Sequence, residues 1–175
     1  MRHLLLSQLA LVCNECHPAY TSGKAIYLNI KGGIGENMND YNNVKNVIAH
    51  EKFHKEAKSV IKTFGDHADV YAKQIDDATF NDTTDDFKVG QLAAVAAYLA
   101  NGLKGNANVA SDGEAQIMNI LNKVNSALKK SKGEYQIRFE PGNSNGDPDK
   151  GFIIQKKGED ISGKIKNDPK MTDVN

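Results

Sequence analysis

The sequence predicts an α+β fold, mostly helical with a small β-sheet, arranged around one central helix. Apolar residues recur at helical spacing in four segments between residues 44 and 130, most clearly Ile117, Ile120, Leu121, Val124 and Leu128. Short β-rich runs bounded by Gly, Pro and Asn flank that helical block, at residues 25–30, 134–140 and 151–157. Between them lies the stretch 43–71, NVKNVIAHEKFHKEAKSVIKTFGDHADVY, which carries three of the five histidines.

At 175 residues the chain is long enough for one domain with a real core. Hydrophobic residues make up 39% and Trp is absent, so that core must come from Ala, Val, Ile and Leu with a few Phe and Tyr. Lys+Arg and Asp+Glu both number 22, and no basic stripe stands out, which counts against nucleic acid as the main partner. No apolar run reaches the roughly 18 residues of a membrane span.

Taken in order, residues 1–12 (MRHLLLSQLALV) have a basic start and a short apolar run. Ser7 and Gln8 interrupt that run and no small-residue cleavage site follows. A short helix or strand at a domain edge is the expectation, or else Met1 is an artificial start within a longer chain. Cys13-Asn14-Glu15-Cys16-His17 has the C-x-x-C-H form of a haem-attachment site. Haem would also need a second axial ligand and an exported chain; a zinc site would need a nearby fourth donor; a redox pair usually sits in a βαβ context. A disulfide or redox pair and two ordinary cysteines both stay open.

Residues 25–30 read as a strand, and Gly32, Gly33 and Gly35 as a flexible loop near the site. No G-K-[ST] follows, so the glycines do not form a phosphate loop. Side-chain oxygens among Asp40–Asn43 can cap a helix running from 44 to 63, with Gly65 ending it. A second helix is expected over 66–75 with Asp66 as cap, then a polar, turn-rich segment over 76–86. Helices follow over 87–103 and 112–130, the latter capped by Ser111 or Asp112. Strands 134–140 and 151–157 are joined by the hairpin connection PGNSNGDPDK. The polar end reads as a mobile tail. The expected organisation is an N-terminal extension (1–24), one domain (25–157) and a flexible tail (158–175), with no internal repeat.

Within the first helix, His50-Glu51-Lys52-Phe53-His54 forms H-E-x-x-H. Four residues make just over one helical turn, so both imidazoles project from one face and can chelate one Zn²⁺, with Glu51 able to reach a water on the metal's open side. A helix rich in Glu and Lys can produce this pattern by accident. Here the histidine face continues through Val47, Ala57 and Ile61, which turns the imidazoles inward, where without a metal their nitrogens would need other partners.

A strand with a Gly-bearing loop, an H-E-x-x-H helix and a further helix offering a third ligand resembles the zincin superfamily of metallopeptidases, over residues 25–77. IYLNIKGGIGE…DYNNVKNVIAHEKFH, followed by HADVYAKQ…FNDTTDDFK, also resembles metallopeptidase-like domains at the C-terminal ends of bacterial YD-repeat (Rhs-type) surface proteins. The resemblance implies a compact zincin-like domain in which residues 26–30 line the cleft and pair with an extended substrate. The metzincin extension of the motif is absent, since Ala57 and Val60 stand at its Gly and His positions. His67-Ala68-Asp69-Val70-Tyr71-Ala72 resembles the E-A-[DN]-x-[FY]-A stretch of some compact zincins, which implies His67 as third ligand and Asp69 second. Geometry leaves the choice open. A first helix regular to Thr63 would end about 13 Å past His54, which favours Asp69, Asp76 or Asp77 over His67, with Glu114 a more distant candidate. His67 requires that helix to end early or bend.

The expected function is a zinc-dependent peptide hydrolase: Zn²⁺ on His50, His54 and His67, Glu51 as general base, and a peptide or protein as substrate. Tyr71 can donate a hydrogen bond to the developing oxyanion, although ordinary helix packing is the better explanation of it. Zinc should be lost below about pH 6, because ligating histidines must be neutral. The alternatives are a non-catalytic, zincin-shaped protein-binding module and a redox or haem protein built on the CNECH motif. The resemblance implies a secreted or cell-surface setting, and a domain of this kind can act as a toxin delivered to a neighbouring cell.

Overall fold

Three of the four described α-helices begin where a side chain can satisfy their first backbone N–H groups. The computed structural model describes residues 19–22, 25–28, 38–57, 61–140 and 151–162. Helix α1 spans Tyr41–Glu56, and the Asp40 carboxylate accepts from the N–H groups of Asn42 and Asn43 at 2.8 and 3.0 Å. It ends at Ala57, whose N–H returns to the Phe53 carbonyl at 2.8 Å. The helix is therefore shorter than the expected 44–63.

Helix α2 spans Phe64–Asp76 and opens with a capping box. Thr63 Oγ1 accepts from the Asp66 N–H and Asp66 Oδ2 accepts from the Thr63 N–H, both at 3.1 Å. Asp66 is thus the third residue of the helix, closing the box, rather than the cap, and Gly65 lies inside the first turn of α2 instead of ending α1. Gly65 is required by close approach: its N–H donates to Asp112 Oδ2 at 2.9 Å, and a Cβ there would lie 2.7 Å from that carboxyl group.

A short 3-10 helix over Ala78–Asp82 leads to α3, Asp85–Lys104, capped by Thr84, and then to α4, Glu114–Lys130. The expected Ser111 or Asp112 cap for α4 is not used; Gly113 holds that position at φ 81°. Asp112 is committed elsewhere, to Gly65 and to Gln116 Nε2.

Two small antiparallel sheets complete the described structure. Strands β1 (Ala19–Ser22) and β2 (Ala25–Leu28) form a hairpin in which Thr21 pairs with Ile26. Strands β3 (Tyr135–Phe139), β4 (Phe152–Lys156) and β5 (Glu159–Asp160) lie in that order. Tyr135, Ile137, Phe152 and Ile154 alternate onto the buried face of the second sheet. That face packs on α3 and α4, which in turn pack on α2, and the main core is continuous through all of them, with Phe64, Ile75, Leu92, Leu99, Ile117 and Leu128 nearly inaccessible.

Helix α1 lies on the far side of α2, covered by the hairpin, with Ala19, Val47 and Phe87 forming a small cluster of their own. The helix buries four polar residues (Asn43, Asn46, His50, Glu51) against two apolar ones, Val47 and Ala49. Its seat is therefore defined by hydrogen bonds more than by apolar area. Asn43 and Thr84 exchange two of them, at 3.0 and 3.1 Å, and tie the start of α1 to the cap of α3. The expected CNECH site, the Gly32–Gly35 loop, the 141–150 connection and, of the expected tail 158–175, the part from residue 163 onward lie outside the described residues, while residues 159–160 form β5. Among the described residues no helix is long and apolar enough to cross a membrane.

Candidate metal centre

His50 and His54 project from one face of α1, one helical turn apart, with their Nε2 atoms 2.8 Å apart. His67 stands in the first turn of α2, and its ring centroid lies 4.6 Å from that of His54 and 5.6 Å from that of His50. Each of the three offers one ring nitrogen, and these atoms all lie within 4.8 Å of one another. Among the described residues this is the group of His, Cys, Asp and Glu side chains close enough to share one ion. His67 reaches it because α1 stops at Glu56, two residues after His54, so that the chain turns back early.

The other candidate ligands point elsewhere. Asp69 is held by Lys123 at 2.6 Å and Lys73 at 3.4 Å, facing α4. Asp76 pairs with Lys130 at 2.9 Å, Asp77 caps the 3-10 helix, and Glu114 is exposed in the first turn of α4.

Burial sets the protonation of the cluster. His50 is lowered from 6.5 to about 3, first by burial, then by the neighbouring His54, with a hydrogen bond to Gln74 opposing. Burial lowers His54 to about 4. Both rings are neutral at neutral pH, and competition from protons at these two residues sets in well below the pH 6 expected for ordinary histidines. Glu51 is buried beside them; desolvation raises its pKa and a hydrogen bond from Thr21 opposes the rise. Thr21 Oγ1 lies 2.8 Å from Glu51 Oε2 and 3.1 Å from the Glu51 carbonyl oxygen. The Tyr71 ring sits 4.5 Å from His50 and 5.5 Å from His67, and its hydroxyl is pushed far above the usual range by burial, then by Tyr98 and Glu51.

The donor set fits a small divalent cation that accepts nitrogen ligands. Tetrahedral bonds of about 2.0–2.1 Å put neighbouring nitrogens roughly 3.3 Å apart, between the 2.8 Å of the His50–His54 pair and the 4.8 Å limit of the whole group. The three imidazoles form a group able to hold a metal ion, and a buried carboxylate, Glu51, stands next to His50 in the chain.

Residues 14–136 match the family model described as metallopeptidase toxin 2. The chain belongs to that family. The match takes in the β1–β2 hairpin, the four described α-helices and the first two residues of β3. No curated protein and no solved structure matches the chain. Membership in metallopeptidase toxin 2 makes this a metallopeptidase-like toxin domain, for which a peptidase activity, a metal cofactor and a protein substrate are the coarse expectations, and the histidine cluster is a group able to hold that metal.

Sequence reasoning missed four residues around this histidine cluster of the metallopeptidase toxin domain. Thr21 comes from the hairpin strand that precedes the expected domain start at residue 25, where no motif marked it. Tyr98, on α3, packs its ring 4.3 Å from His67. Asn46 and Gln74 are fully buried and hydrogen-bond to each other, with Gln74 also on His50. A signal for both was available: Asn46 stands four residues before His50 and Gln74 seven after His67, so each continues a histidine's helical face.

Proposed function

We propose that the chain is a zinc-dependent peptide hydrolase whose metal is held by His50, His54 and His67. The convergence of three imidazoles from α1 and α2 beside the buried Glu51 carries this reading. A zinc ion held there would supply Lewis acidity, lowering the pKa of water and polarising the scissile carbonyl. Zinc rather than a harder cation suits three neutral nitrogen donors with no carboxylate among them.

The chain's own groups perform the proton work. Glu51 accepts the proton of the attacking water and hands it to the leaving amine. Its environment suits that exchange, because desolvation raises the carboxyl pKa above its ordinary value while the hydrogen bond from the Thr21 hydroxyl favours the charged form. The Tyr71 hydroxyl stays protonated at all working pH values and serves as a donor to the developing oxyanion.

The test is Glu51→Gln assayed on an unbiased peptide mixture. That variant should keep its fold and its zinc and lose hydrolysis by at least about a hundredfold, the usual scale for a general base. Undiminished turnover would show Glu51 to be an ordinary buried carboxylate. Zinc in the wild-type protein with no turnover on any peptide would favour a binding module instead.

A further inference from the structure

Behind His50 lies a chain of buried hydrogen bonds whose direction is fixed from its far end. Asp77 Oδ1 accepts from the Thr79 hydroxyl at 2.6 Å, which leaves Thr79 Oγ1 to accept from Asn46 Nδ2 at 2.9 Å. The same Asn46 amide donates to the Gln74 carbonyl oxygen at 3.2 Å, an atom that can only accept. Both contacts orient the Asn46 side chain one way, with Oδ1 toward Gln74. Gln74 Nε2 donates to that oxygen at 2.9 Å, so Gln74 Oε1 faces His50 Nδ1 at 2.8 Å. A carbonyl oxygen accepts only; His50 Nδ1 must therefore carry the hydrogen, and Nε2 presents its lone pair to the cluster.

We propose that Asp77–Thr79–Asn46–Gln74 is a positioning relay that locks His50 in its Nδ1–H form, with Nε2 as the metal-ligating atom. The proposal rests on the reading of His50 as a ligand. It assigns Asp77, a candidate ligand by sequence, to the remote end of the relay. It also makes the group behind His50 a neutral carboxamide, where a carboxylate is common behind metal-bound histidines. Asn46 and Gln74 are 0 and 1% exposed, and α1, α2 and the 3-10 helix each contribute a member. A buried polar network of this kind is costly unless every member is satisfied, and this one is satisfied along its length in one direction. The 2.8 Å contact between the two Nε2 atoms is compatible with that direction, since a bare His50 Nε2 can accept there.

The experiment has two arms. Nitrogen-15 NMR of the metal-free wild-type protein reads the tautomer directly, and the relay requires the His50 proton on Nδ1. A proton on Nε2 overturns the proposal whatever the variants do. Zinc affinity is then measured by chelator competition for wild type, Gln74→Leu, Gln74→Glu and His50→Ala. Gln74→Leu should bind zinc about ten- to a hundredfold more weakly, the usual cost of losing such an orienting partner. Gln74→Glu keeps an acceptor facing Nδ1 and should retain affinity at or above that of wild type, even where thermal stability falls. Equal affinity in Gln74→Leu and wild type would overturn the relay, and a Gln74→Leu protein that does not fold leaves the decision to the tautomer. Full zinc retention by His50→Ala would instead overturn the metal reading, and the relay's role with it.

Discussion

Replacing Thr21 by Val removes one hydroxyl from behind Glu51 while keeping the β-branched shape that suits the hairpin. Thr21 Oγ1 stands 2.8 Å from Glu51 Oε2 in a half-buried setting. A hydrogen bond to a charged group of this kind contributes about 1.5–3 kcal/mol. If that loss falls on the poise of the carboxylate, at about 1.4 kcal/mol per tenfold in rate, turnover should drop roughly ten- to a hundredfold. Part of the hydroxyl's hydrogen bonding goes to the Glu51 carbonyl oxygen at 3.1 Å, which puts the expectation at the lower end. Zinc content should not change, since Thr21 is not among the three residues of the cluster. Thr21→Ser, which keeps the donor, should recover most of the activity. The assay is kcat and KM on a peptide cut by the wild-type protein, with zinc measured on the same samples. Full turnover in Thr21→Val would refute the argument that the hairpin holds the general base, and loss of zinc would show that the hairpin supports the metal site as a whole.

Two further outcomes follow from the same geometry. His67→Ala should lower zinc affinity far more than Asp69→Ala when both are titrated in one buffer, because Asp69 is engaged by Lys123 and Lys73 while the His67 ring faces His50 and His54; stripping of the metal by Asp69→Ala alone would reverse the assignment. The metal-free protein should lose stability on acidification from about pH 6.5, where unfolded histidine begins to bind protons, down toward the folded values of about 3 for His50 and about 4 for His54. In that window the unfolded chain holds more protons, so stability falls with pH, by about 1 kcal/mol per pH unit for His50 alone. The raised pKa of Glu51 acts in the opposite sense, its contribution being lost as pH rises through the folded value, and it offsets part of the slope. Urea midpoints at pH 7, 6 and 5 measure the result, and a flat series would contradict buried neutral imidazoles.

The sequence carried the parts of this molecule that local chemistry dictates. Residues 112–130 show their apolar stripe at helical spacing, and the helix forms within two residues of its expected start. The Asp40 cap was readable for the same reason, as a side-chain oxygen placed just before a helical run. The end of α1 was harder. Gly65 looked like a stop signal, yet its freedom serves a close approach to Asp112, 47 residues away, which no local pattern announces. The better signal was Thr63-Phe64-Gly65-Asp66, a Thr followed three residues later by a carboxylate, which starts α2 early. That one boundary decides whether His67 reaches His54. Thr21, Asn46 and Gln74 act through contacts 24 to 30 residues apart, so their roles emerge only once the chain is folded.

The central claim is that one metal ion sits on the three histidines, and elemental analysis of protein purified without added metal tests it most directly. Wild-type protein should carry one zinc per chain, and the His50→Ala/His54→Ala variant, folded by circular dichroism, should carry none. A double variant that keeps its full zinc would contradict the account.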